Sequence, residues 1–161
     1  MRRSSLKLVA IVGFLTVFGD GLAAASAAPP AASVSAAPPT AGARPVVLTV
    51  RLRYGMTCRY PGPGPFVVVF PAQVRLPETI ARAAVLVDGR PAFTVRTSSD
   101  VVTVGLPPPP KVLCQSFALG TLTLTFTQAA NLGNPTRAGS HPLVVRRQRD
   151  RFHASLDVAP R

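Results

Sequence analysis

The sequence predicts an all-β fold, a single antiparallel sandwich of seven or eight short strands stapled by one disulfide. Three observations predict it. From Pro45 to Val158 the chain is a series of short β-branched runs, closed by turn residues about every eight to twelve positions, as in sandwich folds. Several runs alternate apolar and polar residues, the period of a strand with one buried face. Two cysteines, Cys58 and Cys114, sit in a chain that begins with an export signal.

That signal occupies residues 1–27. Arg2, Arg3 and Lys7 form a positive start, Leu8 to Phe18 is an almost unbroken apolar run, and Gly19-Asp20-Gly21 breaks it. Ala25-Ser26-Ala27 then offers a small-residue exit, so processing is expected after Ala27. The apolar run is too short to cross a hydrocarbon core of about 30 Å, which needs roughly 20 helical residues. No cysteine lies beside the cleavage site, and Asp157-Val158-Ala159-Pro160-Arg161 is neither a hydrophobic tail nor a sorting motif. A secreted, extracytoplasmic protein with no transmembrane segment in its mature chain is the expectation. Arg2-Arg3-Ser4-Ser5-Leu6-Lys7 is loosely like a twin-arginine signal, which stands as the alternative to the Sec route.

Residues 28–44 are nearly all Ala, Pro, Ser, Thr and Gly. Such a segment buries little apolar area against its ordering entropy and reads as a disordered linker. Residues 45–158, about 115 positions, make one ordinary domain. Losing Arg2, Arg3, Lys7 and Asp20 with the signal leaves 15 basic and five acidic groups, a net charge of +10. All but Lys111 of those basic groups are arginine, and a surface so charged attracts polyanions at low salt. In an oxidising compartment Cys58 and Cys114 have one possible pairing. Closing that loop limits the unfolded chain by about 4 kcal/mol in the entropy account.

Along the domain, Val46, Leu48, Val50, Leu52 and Tyr54 share one strand face while Val47, Thr49, Arg51 and Arg53 share the other. Pro61-Gly62-Pro63-Gly64-Pro65 is a stiff turn, because its prolines lack the backbone donors of a phosphate cradle. Phe66 to Phe70 suits a central strand covered on both faces. Pro77-Glu78 could open at most a turn or two of helix. Ala84–Val87 and Ala92–Thr97 flank Asp88-Gly89-Arg90-Pro91 as a hairpin, and Ser98-Ser99-Asp100 turns the chain into Val101–Leu106. Pro107 to Pro110 cannot donate to a ladder. Thr121 to Thr127 alternates threonine with Leu122, Leu124 and Phe126, which point inward; Leu143–Arg147 and Phe152–Val158 close the set. The layout is immunoglobulin-like in architecture, without the tryptophan that antibody-type domains pack on their disulfide.

Residues 66–147 also carry a familiar order: Phe66-Val-Val-Val-Phe-Pro71, Leu76-Pro77-Glu78-Thr79-Ile80, Val85-Leu86-Val87-Asp88-Gly89, Gly120 to Phe126, and Leu132-Gly133-Asn134-Pro135 before Ala138-Gly139-Ser140. This series resembles the immunoglobulin-like β-sandwich modules of bacterial surface and surface-layer-associated proteins. The resemblance covers about half the chain and implies a secreted, non-catalytic structural or interaction module. It transfers no binding residue. A lone module with a cysteine pair departs from the usual pattern.

No constellation names a reaction. His141 and His153 lie outside any nucleophile motif, and Ser140-His141 adjacency is not a dyad. Glu78, Asp88, Asp100, Asp150 and Asp157 are scattered, without the opposed carboxyls of a glycosidase or the oxygen-rich loop of a calcium site. No catalytic residue, metal ligand or cofactor is expected. The sharpest candidate is Arg146-Arg147-Gln148-Arg149-Asp150-Arg151, where on one strand Arg147, Arg149 and Arg151 would share a face. Guanidinium groups bind phosphates and sulfates bidentately. The plain alternative is a solvated turn. No aromatic interleaves these arginines, so specific nucleic-acid recognition is not expected. The sequence therefore predicts a structural or adhesive envelope module, whose partner is an envelope polymer or envelope protein. The alternative is a polyanion-binding protein that uses 146–151 against teichoic acid, lipopolysaccharide or extracellular DNA.

Overall fold

Burial alternates residue by residue along the long strands of the protein, and that alternation builds its two layers. The structure, a computed structural model, describes residues 31–57, 64–108 and 117–161. The signal at 1–27 and both Cys58 and Cys114 lie outside the described residues. Among the described residues ten strands run in chain order: β1 (Ala32–Ala37), β2 (Val47–Thr57), β3 (Phe66–Val69), β4 (Val85–Val87), β5 (Arg90–Pro91), β6 (Thr94–Ser98), β7 (Val101–Gly105), β8 (Phe117–Phe126), β9 (Gly139–Arg147) and β10 (Asp150–Val158). They form two five-stranded antiparallel sheets, ordered β1-β2-β8-β4-β5 and β10-β9-β3-β7-β6.

The inner faces are those that the alternation marks out. Leu48, Val50 and Leu52 of β2 and Leu122, Leu124 and Phe126 of β8 meet Phe66 and Val68 of β3, Val102 and Val104 of β7, Leu143 and Val145 of β9, and Phe152 and Leu156 of β10. All of these are buried. Each such side chain removed from water contributes roughly 1.5–3 kcal/mol before ordering costs. Aromatic pairs cross between the layers at both ends. Phe70 meets Phe126 edge-on at 5.6 Å, and Tyr54 lies 6.0 Å from Phe66 and 5.6 Å from Phe152.

Four expectations need correction. The Ala/Pro stretch 28–44 is not a disordered linker where it is described. Ala32–Ala37 pairs with β2 along its whole length, and Ala32, Val34 and Ala36 pack on the core. Its composition hid main-chain pairing, which small side chains permit at a sheet edge. With β1 and the two-residue β5 added, the strand count rises from seven or eight to ten. The hairpin at Asp88-Gly89 is real, with both residues at positive φ (49° and 77°), the type I′ geometry that Asp-Gly favours. Its second arm, however, is only Arg90–Pro91. Pro91 cannot donate, and after the Ala92 N–H donates to the Val85 carbonyl the chain crosses to the other sheet. There Thr94–Ser98 pairs with β7. Finally, β3 is central, but Val67 and Val69 on its outer face are only half-buried.

The segment after β1 is tied down by Asn134. This side chain is buried, and its Nδ2 donates to the carbonyls of Pro38 at 2.9 Å and Thr40 at 3.0 Å. The Asn134 N–H donates to Ala43, Gly42 N–H to Pro135, and Ala41 N–H to Ala159. Thus the Asn134-Pro135 stretch fastens the amino-terminal strand to the carboxyl-terminal one. Replacing Asn134 with Ala should lower the unfolding free energy by about 1–3 kcal/mol, because two part-buried hydrogen bonds are lost. Urea denaturation checks this, and an unchanged midpoint would contradict the clamp.

Candidate functional site

The arginine run 146–151 is not one strand but the turn of a hairpin. Arg147 pairs with Asp150 across a two-residue loop, Gln148-Arg149, with Gln148 at φ 50°. Reversal at that loop separates the arginines. Arg146 and Arg151 are opposite one another on the outer face, both exposed, and Arg149 projects at the tip. Arg147 points inward and is 1% exposed. The expected face shared by Arg147, Arg149 and Arg151 therefore does not form, since neighbouring positions of a strand point to opposite sides.

Arg147 instead closes one end of the core. Its guanidinium carbon lies 5.1 Å from the Tyr54 ring centre and 4.8 Å from that of Phe66. Cations over aromatic faces contribute about 0.5–2 kcal/mol, more as water is excluded. Tyr54 donates its hydroxyl to Asp150 Oδ2 at 3.0 Å. Desolvation pushes the Tyr54 hydroxyl above its usual 10.0; the hydrogen bond to Asp150 raises it further, and the nearby Arg147 charge pulls it back. The sequence shows a basic cluster here, yet one of its four arginines serves the interior.

What remains outside is an ordered face. Register places Arg151, Arg146, Val67, Thr103 and Arg96 in one row across β10, β9, β3, β7 and β6. The next row reads His153, Val144, Val69, Val101 and Ser98. Opposed residues of an antiparallel pair have Cβ atoms about 4.5–5.5 Å apart, and like charges so placed repel by roughly 0.2–1 kcal/mol. An anion lying between Arg146 and Arg151 would relieve that repulsion. Arg96 stands three strands from Arg146, roughly 14 Å at the usual strand spacing. Arg96 belongs to this face although its sequence neighbours signal nothing; only register brings it into line.

The residues weighed for catalysis are dispersed. Ser140 and His141 point to opposite sides of β9: the Ser140 hydroxyl bonds that of Ser155, and His141 Nε2 bonds the Arg137 carbonyl at 3.0 Å. His153 is exposed on the outer face. Asp88 Oδ1 accepts the Thr123 N–H at 2.8 Å and so braces the β4–β5 turn against β8. Among the described residues no three His, Cys, Asp or Glu side chains gather as a metal cluster would require, and no helix is long and apolar enough to cross a membrane.

No protein family and no curated protein matches the chain. Among solved structures, the crystal structure of BslA, a bacterial hydrophobin, is similar at 20% identity and a TM-score of 0.48, over 81% of this chain and 100% of that one. At that level the likeness bears on neither fold nor function.

Two adjacent arginines should behave in opposite ways. Arg147→Ala removes buried packing and two ring contacts and should cost roughly 2–4 kcal/mol, whereas exposed Arg146→Ala should stay within about 0.5 kcal/mol. Urea unfolding of both variants measures the difference. Equal midpoints would contradict the inward placement of Arg147.

Proposed function

We propose that the protein is an exported, non-catalytic structural or adhesive module of the bacterial cell envelope or extracellular space. Its contacts run through the outer face of the β10-β9-β3-β7-β6 sheet. The observation that carries this reading is the pair of rows on that face, arginines at both ends of one and valines at the centre of the other. A basic rim around half-buried aliphatic side chains suits contact with another surface, and the interior is filled by side chains that hold the layers together. The likeness to immunoglobulin-like surface-layer modules belongs to this proposal. So does the Cys58–Cys114 disulfide, which is supported by the pairing of Thr57 with Phe117 at neighbouring strand ends.

A second reading, binding of acidic envelope polymers, is favoured by one specific feature. Arg146 and Arg151 face each other without an intervening anionic side chain in their cross-strand pair, and Arg149 stands at the tip beside them. Teichoic acid, lipopolysaccharide and extracellular DNA all present anionic groups that guanidinium forks can hold. Chromatography of the purified protein on heparin tests it. Replacing Arg146, Arg149 and Arg151 together by Ser should move elution to clearly lower salt, because fewer counterions are released on binding. Unchanged elution of that triple variant would remove the polyanion reading and leave the adhesive one.

A further inference from the structure

The same sheet face holds a shallow depression of ≈ 330 Å³ at the β6–β7 edge, and Gly64 of its lining lies beside Gln148 of the arginine hairpin. Pro65, Phe93, Thr94, Arg96, Thr103 and Gly105 line it. Its parts are unlike the rest of the surface. Phe93 is 61% exposed and is the large hydrophobic side chain that stands out among the described residues. Alternation alone would turn Phe93 inward with Val95 and Thr97; the crossover from β5 to β6 turns it out. Gly105 forms the floor, and a Cβ there would collide with the Thr94 hydroxyl. The Thr94 side chain occupies the space that a side chain at Gly105 would take, and so lies in the depression's floor.

We propose that this depression binds one acidic sugar unit of an extended acidic polysaccharide, whose chain continues along the row toward Arg146 and Arg151. The proposal rests on the polymer-binding reading above and names its ligand. The exposed Phe93 ring offers an apolar face to the C–H side of a pyranose ring. Arg96, exposed on the same wall, can hold a carboxylate through two parallel N–H bonds. The Thr94 and Thr103 hydroxyls each donate and accept, as the ring hydroxyls of a sugar require. Pro65 supplies a rigid opposite wall.

Spacing argues against nucleic acid as the occupant. A single strand carries a phosphate at every nucleotide and is held by successive stacking aromatics. Here Val67 and Thr103 separate Arg96 from Arg146, a gap of roughly 14 Å with no cation among the described residues, and one described aromatic ring, Phe93, stands beside the row. A polymer with widely spaced carboxylates fits that pattern.

Titration of the purified protein with a ten-unit hyaluronan oligosaccharide, which carries one carboxylate per disaccharide, in about 0.15 M salt tests the site. A neutral dextran oligomer and a single-stranded DNA oligomer serve as comparison ligands. Phe93→Ala and Arg96→Gln are expected to weaken hyaluronan binding about tenfold each, with unchanged melting temperature, since both residues are exposed. Dextran should not bind, and any DNA binding should be insensitive to Phe93→Ala. If both variants bind the hyaluronan oligosaccharide like the unaltered protein while Arg146→Ser with Arg151→Ser abolishes binding, the depression is wrong and the polymer-binding reading survives. If DNA binds as tightly and loses affinity equally in Phe93→Ala, the sugar assignment is overturned. If neither anionic polymer binds, both proposals fall.

Discussion

The packing of one apolar sheet face against another is the interaction on which the rest of this structure depends. A strand offers only two sides, so committing Leu48, Val50 and Leu52 to the interior commits Thr49, Arg51 and Arg53 to the outside. The same exclusion operates on β9, where Leu143, Val145 and Arg147 go in and Val144 and Arg146 go out. A one-residue slip in either strand would bury guanidinium groups and expose the core. Register is therefore strongly specified, and with it the composition of both outer faces.

That constraint explains how a chain so rich in arginine folds at all. The described arginines sit where alternation sends them to water, at turns, or, for Arg147, in an interior position lined by aromatic rings. Arg147 is the exception that needs Tyr54 and Phe66 around it, and its aliphatic stem fills space that a shorter side chain would leave empty. The outer arginines then fall into register because the strands do. Their alignment with Arg96 is a product of sheet order, which brings a residue fifty positions upstream in the chain into the same row.

Much of the fold was legible because period-two alternation survives in single strands. Val46–Tyr54 and Thr121–Thr127 show their inner and outer faces directly in the sequence, and Asp88-Gly89 names its own turn. What alternation cannot show is partnership. It marked Ala92–Thr97 as a strand without revealing that the chain changes sheets after Ala92, so that the strand runs over Thr94–Ser98. The amino-terminal strand escaped because its stabilisation is main-chain pairing and the Asn134 clamp, neither of which apolar composition reports. For the candidate site, the arginine cluster was visible as charge. Its division into buried and exposed members was not, because the two-residue loop at Gln148-Arg149 decides which guanidinium groups point out.

Amide hydrogen exchange followed by NMR tests the central claim most directly, that both sheets and the amino-terminal strand share one cooperative interior. The amides of Val68, Leu124 and Val145, one from each of three inner strands, should exchange with a common opening free energy equal to that of global unfolding. The β1 amides that face β2 should be protected as well. Separate opening energies for the two sheets, or β1 exchanging like an unstructured chain, would contradict the account.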